Sequence, residues 1–495
     1  MTLADLSTAG PFVLAVLVAV AVLVTDIALP GRRGAVLAVS LVGLAFVAVL
    51  TLATGATATT AFGGAYKVDA LTTFLDLLFV AIIAFTIVFG PDYLEPRGLP
   101  LAEYTVVLLF AMTGAMLISA SADLLVLFLG LELLVLPGYM LAGYAKRDGL
   151  STEGAIKYFL LGSFSSAIFL FGLALTWGLS GSTRVDKVAQ HLADVISGGA
   201  PLSAGLAMGL AFMTTGVAFK IAAVPFHYWT PDAYQGSPTP VTGYLSVGPK
   251  IGAFALILRL FVEALGPLAE FWLPIVIVLS AFTMTLGNLV ALTQDNVKRM
   301  LGYSSIAHTG YMLMGLAAYA AGQIQGLQGL LYYTAAYAFM NLGAFAVIAA
   351  LQKRAGVTSS LDTFAGLARR EPLLCLLMTL FLLSLVGIPP TAGFFAKFYV
   401  ILAAIQAGGA LTWLAVLAVL NAAAAAFYYL RIVLYMFVRE PSSDAPAPQH
   451  SALMWGGLAA ATVLTILLGL FPTTALEIVG EAARAIAGTT GVAGT

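Results

Sequence analysis

Apolar residues run along this chain in blocks of about 20, each closed by a short polar break. A helix of about 20 apolar residues is long enough to cross the hydrocarbon core of a bilayer. Fourteen such blocks begin near Pro11, Ala35, Asp69, Leu101, Asp123, Ala155, Ser203, Val241, Trp272, Lys298, Gly326, Pro372, Leu411 and Ser451. They predict an all-α integral membrane protein of 14 transmembrane helices, with no soluble domain and no long linker. Two stretches break the pattern. Residues 182–198, STRVDKVAQHLADVISG, are polar enough for a short helix lying on the membrane surface. The segment after Ala475 reads the same way, then ends in small residues expected to be loose. The first apolar run lacks a basic flank and is too long for a cleaved leader, so it is expected to remain as a span.

Composition agrees with the pattern and removes other classes. Of 495 residues, 61% are hydrophobic and 9% charged, against about 25% charged in soluble domains. A mean hydropathy of +1.01 leaves too little polar surface to coat a water-soluble globule. The net charge of −1 argues against nucleic acid as a partner, which would call for a clustered basic face. Cys375 is the single cysteine, so neither a disulfide framework nor a cysteine-ligated cluster fits within this chain. The four histidines, His191, His227, His308 and His450, show no metal-ligand spacing, so no metal is expected.

The basic residues orient the spans, because lysine and arginine favour loops on the inside. With the N-terminus outside, the inside flanks hold Arg32, Arg33, Arg97, Lys146, Arg147, Lys157, Lys298, Arg299, Lys353, Arg354, Arg369, Arg370 and Arg439. The outside flanks hold Lys67, Arg184, Lys187 and Arg484, a bias of 13 to 4. Both termini are therefore expected on the periplasmic or outer side.

Charges near the bilayer centre are costly, about 2.5–3.5 kcal/mol on insertion scales, and mark ion pathways. Four stand well inside spans. Glu132 lies midway along the fifth, in LFLGLELLVLPGY; Lys220 is in the seventh, Lys250 in the eighth and Lys397 in the twelfth. Structural ion pairing between helices is the plainer alternative for each. Arg259 and Arg431 sit nearer span ends and read as anchors at the lipid interface or between helices. His308, about ten residues into the tenth span with Ser304, Ser305 and Thr309 around it, is a candidate relay or a hydrogen-bonded core residue. His227 falls at an inside helix end, a structural position.

Lysine suits proton movement. A buried ammonium can give up its proton and a nearby carboxylate favours keeping it, whereas arginine stays charged. A Glu–Lys pair of changing separation is thus a switchable proton holder. Moving a proton against ~150 mV takes ~3.5 kcal/mol, about 2.5 on the pKa scale.

Prolines cluster beside these lysines. Pro225 follows Lys220, Pro249 precedes Lys250, and Pro389 and Pro390 precede Lys397, so breaks are expected at all four prolines. Broken helices at membrane depth mark transport sites built from inverted repeats. The seventh and twelfth spans are five apart, which predicts two five-helix repeats, spans 4–8 and 9–13. The expected division is 1–100 for the first three helices, 101–265 and 266–440 for the repeats, and 441–495 for the last helix and tail.

At these residues the chain resembles the subunit N family of NADH:quinone oxidoreductase, respiratory complex I. The strongest match is FKIAAVPFHYWTPDAYQGSPTPVTGYLSVGPK, residues 219–250. LELLVLPGYMLAGY (131–144), STEGAIKYFLLGSFSSAIFLFG (151–172), DNVKRMLGYSSIAHTGYML (295–313) and GIPPTAGFFAKFYV around Lys397 support it. The resemblance implies a 14-helix antiporter-like fold with broken seventh and twelfth helices, in a bacterial inner membrane. It implies proton translocation through Glu132 and Lys220 as an ion pair, Lys250 as the central lysine and Lys397 as the distal group, with His308 and Lys157 matched more weakly. It places partners in a membrane arm that includes related antiporter-like subunits. NADH, FMN, iron–sulfur clusters and quinone are expected in other subunits, with no cofactor in this chain. A multi-subunit cation/proton antiporter shares the fold and the buried lysines and is the main alternative. A purely structural membrane-arm scaffold is a third.

Overall fold

The computed structural model describes residues 2–199, 201–353, 358–441 and 449–488. Arg354, counted above among the inside charges, and the small-residue end beyond 488 lie outside the described residues. The chain is nearly all helix. In order, α1 is Gly10–Ala28, α2 Arg33–Thr54, α3 Ala70–Phe89, α4 Leu101–Ser119, α5 Leu124–Ala142 and α6 Gly149–Ser180. Next come α7 Val185–Ser197, α8 Ala204–Lys220, α9 Trp229–Gly236, α10 Thr239–Ile257, α11 Ala269–Ala291 and α12 Val297–Ala320. Then follow α13 Ile324–Leu351, α14 Pro372–Val386, α15 Ala392–Ala407, α16 Gly409–Val438, α17 Ala452–Leu470 and α18 Pro472–Ala487. One antiparallel hairpin, β1 Thr59–Ala61 with β2 Tyr66–Val68, pairs Thr59 with Val68 between α2 and α3.

Short polar side chains set where helices begin. Asp69, Asp123, Asp148, Ser203 and Asn296 each accept a backbone N–H in the first turn of α3, α5, α6, α8 and α12, satisfying donors that a helix start leaves free. Among the described residues, eleven helices are long and apolar enough to cross a membrane. The other three expected spans are built differently. The tenth is α12, 24 residues long but carrying Lys298, Ser304, Ser305, His308 and Thr309. The seventh is split into α8 and α9, and the twelfth into α14 and α15.

Burial divides the helices into a centre and a rim. All 19 residues of α10 are buried, and α12 and α13 are nearly as enclosed. The rim exposes large apolar side chains such as Leu129, Phe164, Trp413 and Phe427, the surface a bilayer covers. The amphipathic α7 buries Val185, Val188 and Leu192, one stripe of helical spacing. The expected surface segment after Ala475 is α18, and it is not merely peripheral: it packs Val479, Ala482, Ala483 and Ile486 inward against α3 and α13.

One expected helix break needs correction. Pro249 does not break its helix; α10 runs through it without interruption. A proline removes one donor and frees the carbonyl four residues earlier, here that of Leu245. The Tyr234 hydroxyl donates to that oxygen at 3.1 Å, so the helix continues. The irregularity falls later, as a π-helical stretch Leu258–Ala264. There Arg259 is fully enclosed, the second of its two expected roles, an anchor between helices. It donates to both Asp69 oxygens at 2.8 and 2.9 Å, to Glu263 at 2.8 Å, to Thr72 and to the Ser119 carbonyl. Lys67 completes this cluster on Asp69 and Glu263. Arg431 does join elements, bonding the Gln294 carbonyl from α16.

Contacts at one end of the bundle gather the basic flanks into a single face. Arg97 donates to the Gln352 carbonyl at 2.7 Å, and Lys353 pairs with Asp92 at 3.4 Å. Lys157 and Arg299 both meet Asp232 at 2.6 Å. This end is called the basic face below.

Candidate functional site

Both helix breaks are stabilised by side chains from neighbouring helices, which satisfy the backbone groups set free. Helix α8 ends at Lys220, and residues 221–228, with Pro225 among them, lead to α9. The Ile221 carbonyl accepts from Thr309 at 2.9 Å, the Val224 N–H donates to Thr283 at 3.0 Å, and Trp229 Nε1 donates to the Phe219 carbonyl at 3.1 Å. His227 lies in this break, stacked on Tyr228. Helix α14 ends at Gly387, whose φ of +94° is a left-handed conformation that glycine adopts without strain. Pro389 and Pro390 follow, and α15 begins at Ala392.

Lys397 closes the second break. From one turn and a half into α15, its ammonium donates to the Leu385 and Val386 carbonyls at 3.0 and 2.7 Å. These are terminal carbonyls of α14, where the helix dipole is negative and favours a cation. The crossing is tight at Gly393, where a Cβ would collide with the Ser384 carbonyl oxygen. Gly393→Ala is therefore expected to push α14 and α15 apart and destabilise the chain by about 1–3 kcal/mol. Its thermal midpoint in detergent, measured against wild type, should fall; an unchanged midpoint would contradict this packing.

The other lysines are also enclosed by polar groups rather than by counter-charges. Lys220 is 6% exposed and donates to Ser166 Oγ at 2.8 Å, Tyr139 Oη at 3.3 Å and the Gly162 carbonyl at 3.4 Å. The expected Glu132–Lys220 ion pair is not closed. Glu132 is only half-buried, and its Oε1 has no hydrogen-bond partner. It stands on the stripe of α5 with Leu125, Leu129, Leu136 and Met140, yet that Oε1 is enclosed and its charge acts on both Lys220 and Tyr139. Lys250 is 2% exposed and donates to both the carbonyl and Oγ of Ser305 at 2.5 Å, with the Tyr337 ring 5.8 Å away.

His308 stands between Lys250 and Lys397. It is three residues beyond Ser305 on α12, hence on the same side of the helix. Its Nδ1 is hydrogen-bonded to Tyr333 Oη at 2.7 Å and its Nε2 to Tyr429 Oη at 3.2 Å. Tyr311 and Tyr337 flank the ring at 6.1 and 5.0 Å between centroids. Lys397 Nζ lies 5.0 Å from the Tyr311 ring. Ser305, His308 and the tyrosines thus line one polar lane from Lys250 to Lys397. Lys157 lies apart from it, held by Glu153 and Asp232 at the basic face.

Sequence reasoning missed the tyrosines. Their signal was present: Tyr333 and Tyr337 are one turn apart on α13, and Tyr311 follows His308 by three. It also missed Asp69, Asp76 and Glu263. Asp76 is 2% exposed and accepts from Ser119 Oγ at 2.5 Å. Among the described residues no group of histidine, cysteine and carboxylate side chains is placed to hold a metal.

Enclosed lysines beside two broken membrane helices, joined through an imidazole and phenols, define a multi-span membrane protein of the antiporter-like class. The family described as NADH:quinone oxidoreductase/Mrp antiporter, TM, matches residues 121–422. NADH-quinone oxidoreductase subunit N 2 of Roseiflexus castenholzii is 44% identical over 425 residues, 84% of each chain. A chain of respiratory complex I from Thermus thermophilus superposes with a TM-score of 0.76 at 32% identity, over 94% of this chain and 98% of that one. A chain of the Mrp complex from Dietzia sp. DQ12-45-1b shares the fold, with a TM-score of 0.81 at 23% identity over 100% of both. The chain belongs to the NADH-quinone oxidoreductase subunit N family.

Proposed function

We propose that this chain is the proton-translocating membrane-arm subunit of a NADH:quinone oxidoreductase, with protons passing from Lys250 to Lys397 while quinone is reduced elsewhere in the complex. The observation that carries the reading is the lane itself. Two enclosed lysines without carboxylate partners face each other across His308 and its tyrosines. Each member is a hydrogen-bond donor or acceptor able to hand on a proton.

An unpartnered buried atom supports a hydrated lane. Among the described residues Tyr244 Oη has no protein partner, and a buried polar group of that kind is satisfied by internal water. In this reading protons reach Lys250 from the basic face, taken as the inside. They cross by way of His308 and leave from Lys397 to the other side, where both termini lie. Glu132 and Lys220 set the affinity of Lys250. The half-buried Glu132, whose charge acts on Lys220, is the group through which an adjoining related subunit acts. The repeats are 101–265 and 266–440, preceded by 1–100 and followed by 441–495. NADH, FMN, iron–sulfur clusters and quinone belong to partner subunits.

Affinity purification of the tagged chain from its native membrane tests the assignment. Flavin and iron–sulfur subunits, with NADH-driven acidification of reconstituted vesicles, are the expected result. Recovery of small membrane proteins alone, with cation-driven proton exchange and no NADH oxidation, would instead establish a multi-subunit cation/proton antiporter.

A further inference from the structure

Lys298 was counted above among the inside loop charges, yet it is 4% exposed. It lies in the first turn of α12, and its ammonium donates to the Ser237 carbonyl at the end of α9, at 2.5 Å. Among the described residues it makes no ion pair. An ammonium has three donors, so two are left for water. The charged groups acting on it are Asp148 and Arg97. Both line a cavity of about 700 Å³ on the basic face, together with Glu103, Lys146 and Arg147.

On its other side Lys298 addresses the lane. Ser305, the acceptor of Lys250, is seven residues further along α12. Seven residues are two turns, so both side chains lie on one face about 10.5 Å apart along the axis. Gly302, between them, adds no side chain, and the Tyr234 ring lies over it. Thr230 Oγ1 and Tyr244 Oη, on the two segments that adjoin this stretch, are buried without protein partners among the described residues, which marks places for water.

We propose that Lys298 is the proton-loading group of this subunit on the basic face, taking protons from water in the cavity at Arg97 and Asp148 and passing them to Lys250. The proposal rests on the reading of Lys250 as the central carrier. In each transfer an O–H bond of a hydronium that has entered the cavity from the bulk breaks, leaving water, as an N–H bond forms on neutral Lys298. That ammonium then gives a proton to the next water toward Lys250, whose amine takes it up. Lys298 returns to its neutral form and one proton has moved inward.

A purely structural lysine tying α12 to α9 is distinguished by arginine. Lys298→Arg keeps a donor for the Ser237 carbonyl but cannot release its proton. Lys298→His can exchange one near neutral pH, and Lys298→Met can do neither. Each is compared in the whole complex, reconstituted in vesicles, for NADH-driven acidification per assembled complex. The expected result is at least a tenfold loss with Arg and with Met, and recovery of a substantial part with His. Wild-type acidification by an assembled Arg or Met variant would overturn the proposal. If Arg does not assemble, the comparison of Met with His decides it: equal loss in both overturns it. Lys250→Ala run alongside separates the two claims. Loss there with normal Lys298→Arg defeats only the loading role, whereas normal pumping in Lys250→Ala defeats the route itself.

Discussion

Replacing Lys250 with Ala is expected to cut NADH-driven proton pumping by the assembled complex tenfold or more. Lys250 sits at the centre of α10, the most enclosed helix, and every residue around it in that helix is buried. Among the described residues its ammonium is held by the backbone and hydroxyl of Ser305 alone. Removing it leaves hydroxyls and water to carry an excess proton through a low-dielectric interior, where an uncompensated charge costs several kcal/mol. Since 1.36 kcal/mol is tenfold in rate, even part of that cost gives the stated loss. Because pumping and quinone reduction are coupled in this reading, quinone reduction is expected to fall with it. The measurement is acidification and NADH oxidation on vesicles, normalised to assembled complex. Lys250→Arg should not rescue, since it supplies charge without an exchangeable proton. Normal pumping in either variant would remove Lys250 from the route.

The sequence was most readable where one residue carries a strong physical constraint. Apolar blocks of membrane length located the helices, and enclosed lysines stood out because charge is costly there. The break at Gly387, Pro389 and Pro390 was legible, since those residues lack a Cβ or an N–H. Pro249 was misread for a reason sequence does not show: the carbonyl it frees has a distant hydroxyl partner, Tyr234. Likewise, whether Glu132 and Lys220 close an ion pair depends on how the Glu132 stripe of α5 is turned. Leu, Met and Glu on that stripe are as compatible with a packed interface as with an exposed one. Lys298 shows the converse. Its place at a span's end gave it a topological reading, while the end of α9 folds back over it and buries it. The tyrosines of the lane left local signals on α12 and α13, but their convergence on His308 was not legible, since it also takes Tyr429 from the distant α16.

The largest expected effect on stability concerns Arg259, which lies outside the lane. Five hydrogen bonds leave its guanidinium, to Ser119, Thr72, Glu263 and both oxygens of Asp69. They tie the π-helical end of α10 to the start of α3 and the end of α4. Glu263 and Asp69 have side chains only 4% and 9% exposed. Arg259→Leu leaves two enclosed carboxylates with Lys67 as their one cation among the described residues. Breaking a buried pair from one side costs on the order of 3–5 kcal/mol, a large part of the 5–15 kcal/mol that holds a typical domain together. The variant is therefore expected to be nearly absent from assembled complex, measured by immunoblot after native electrophoresis. Arg259→Lys should recover only part of the wild-type level, because a point charge cannot replace the planar fork that meets Asp69 with two bonds. A double variant, Arg259→Leu with Asp69→Asn, leaves Glu263 paired with Lys67 and should recover more than Arg259→Leu alone. If the double variant is no better, the loss comes from packing rather than from stranded charge. Normal assembly of Arg259→Leu would show that the cluster is not what fixes α10 to α3.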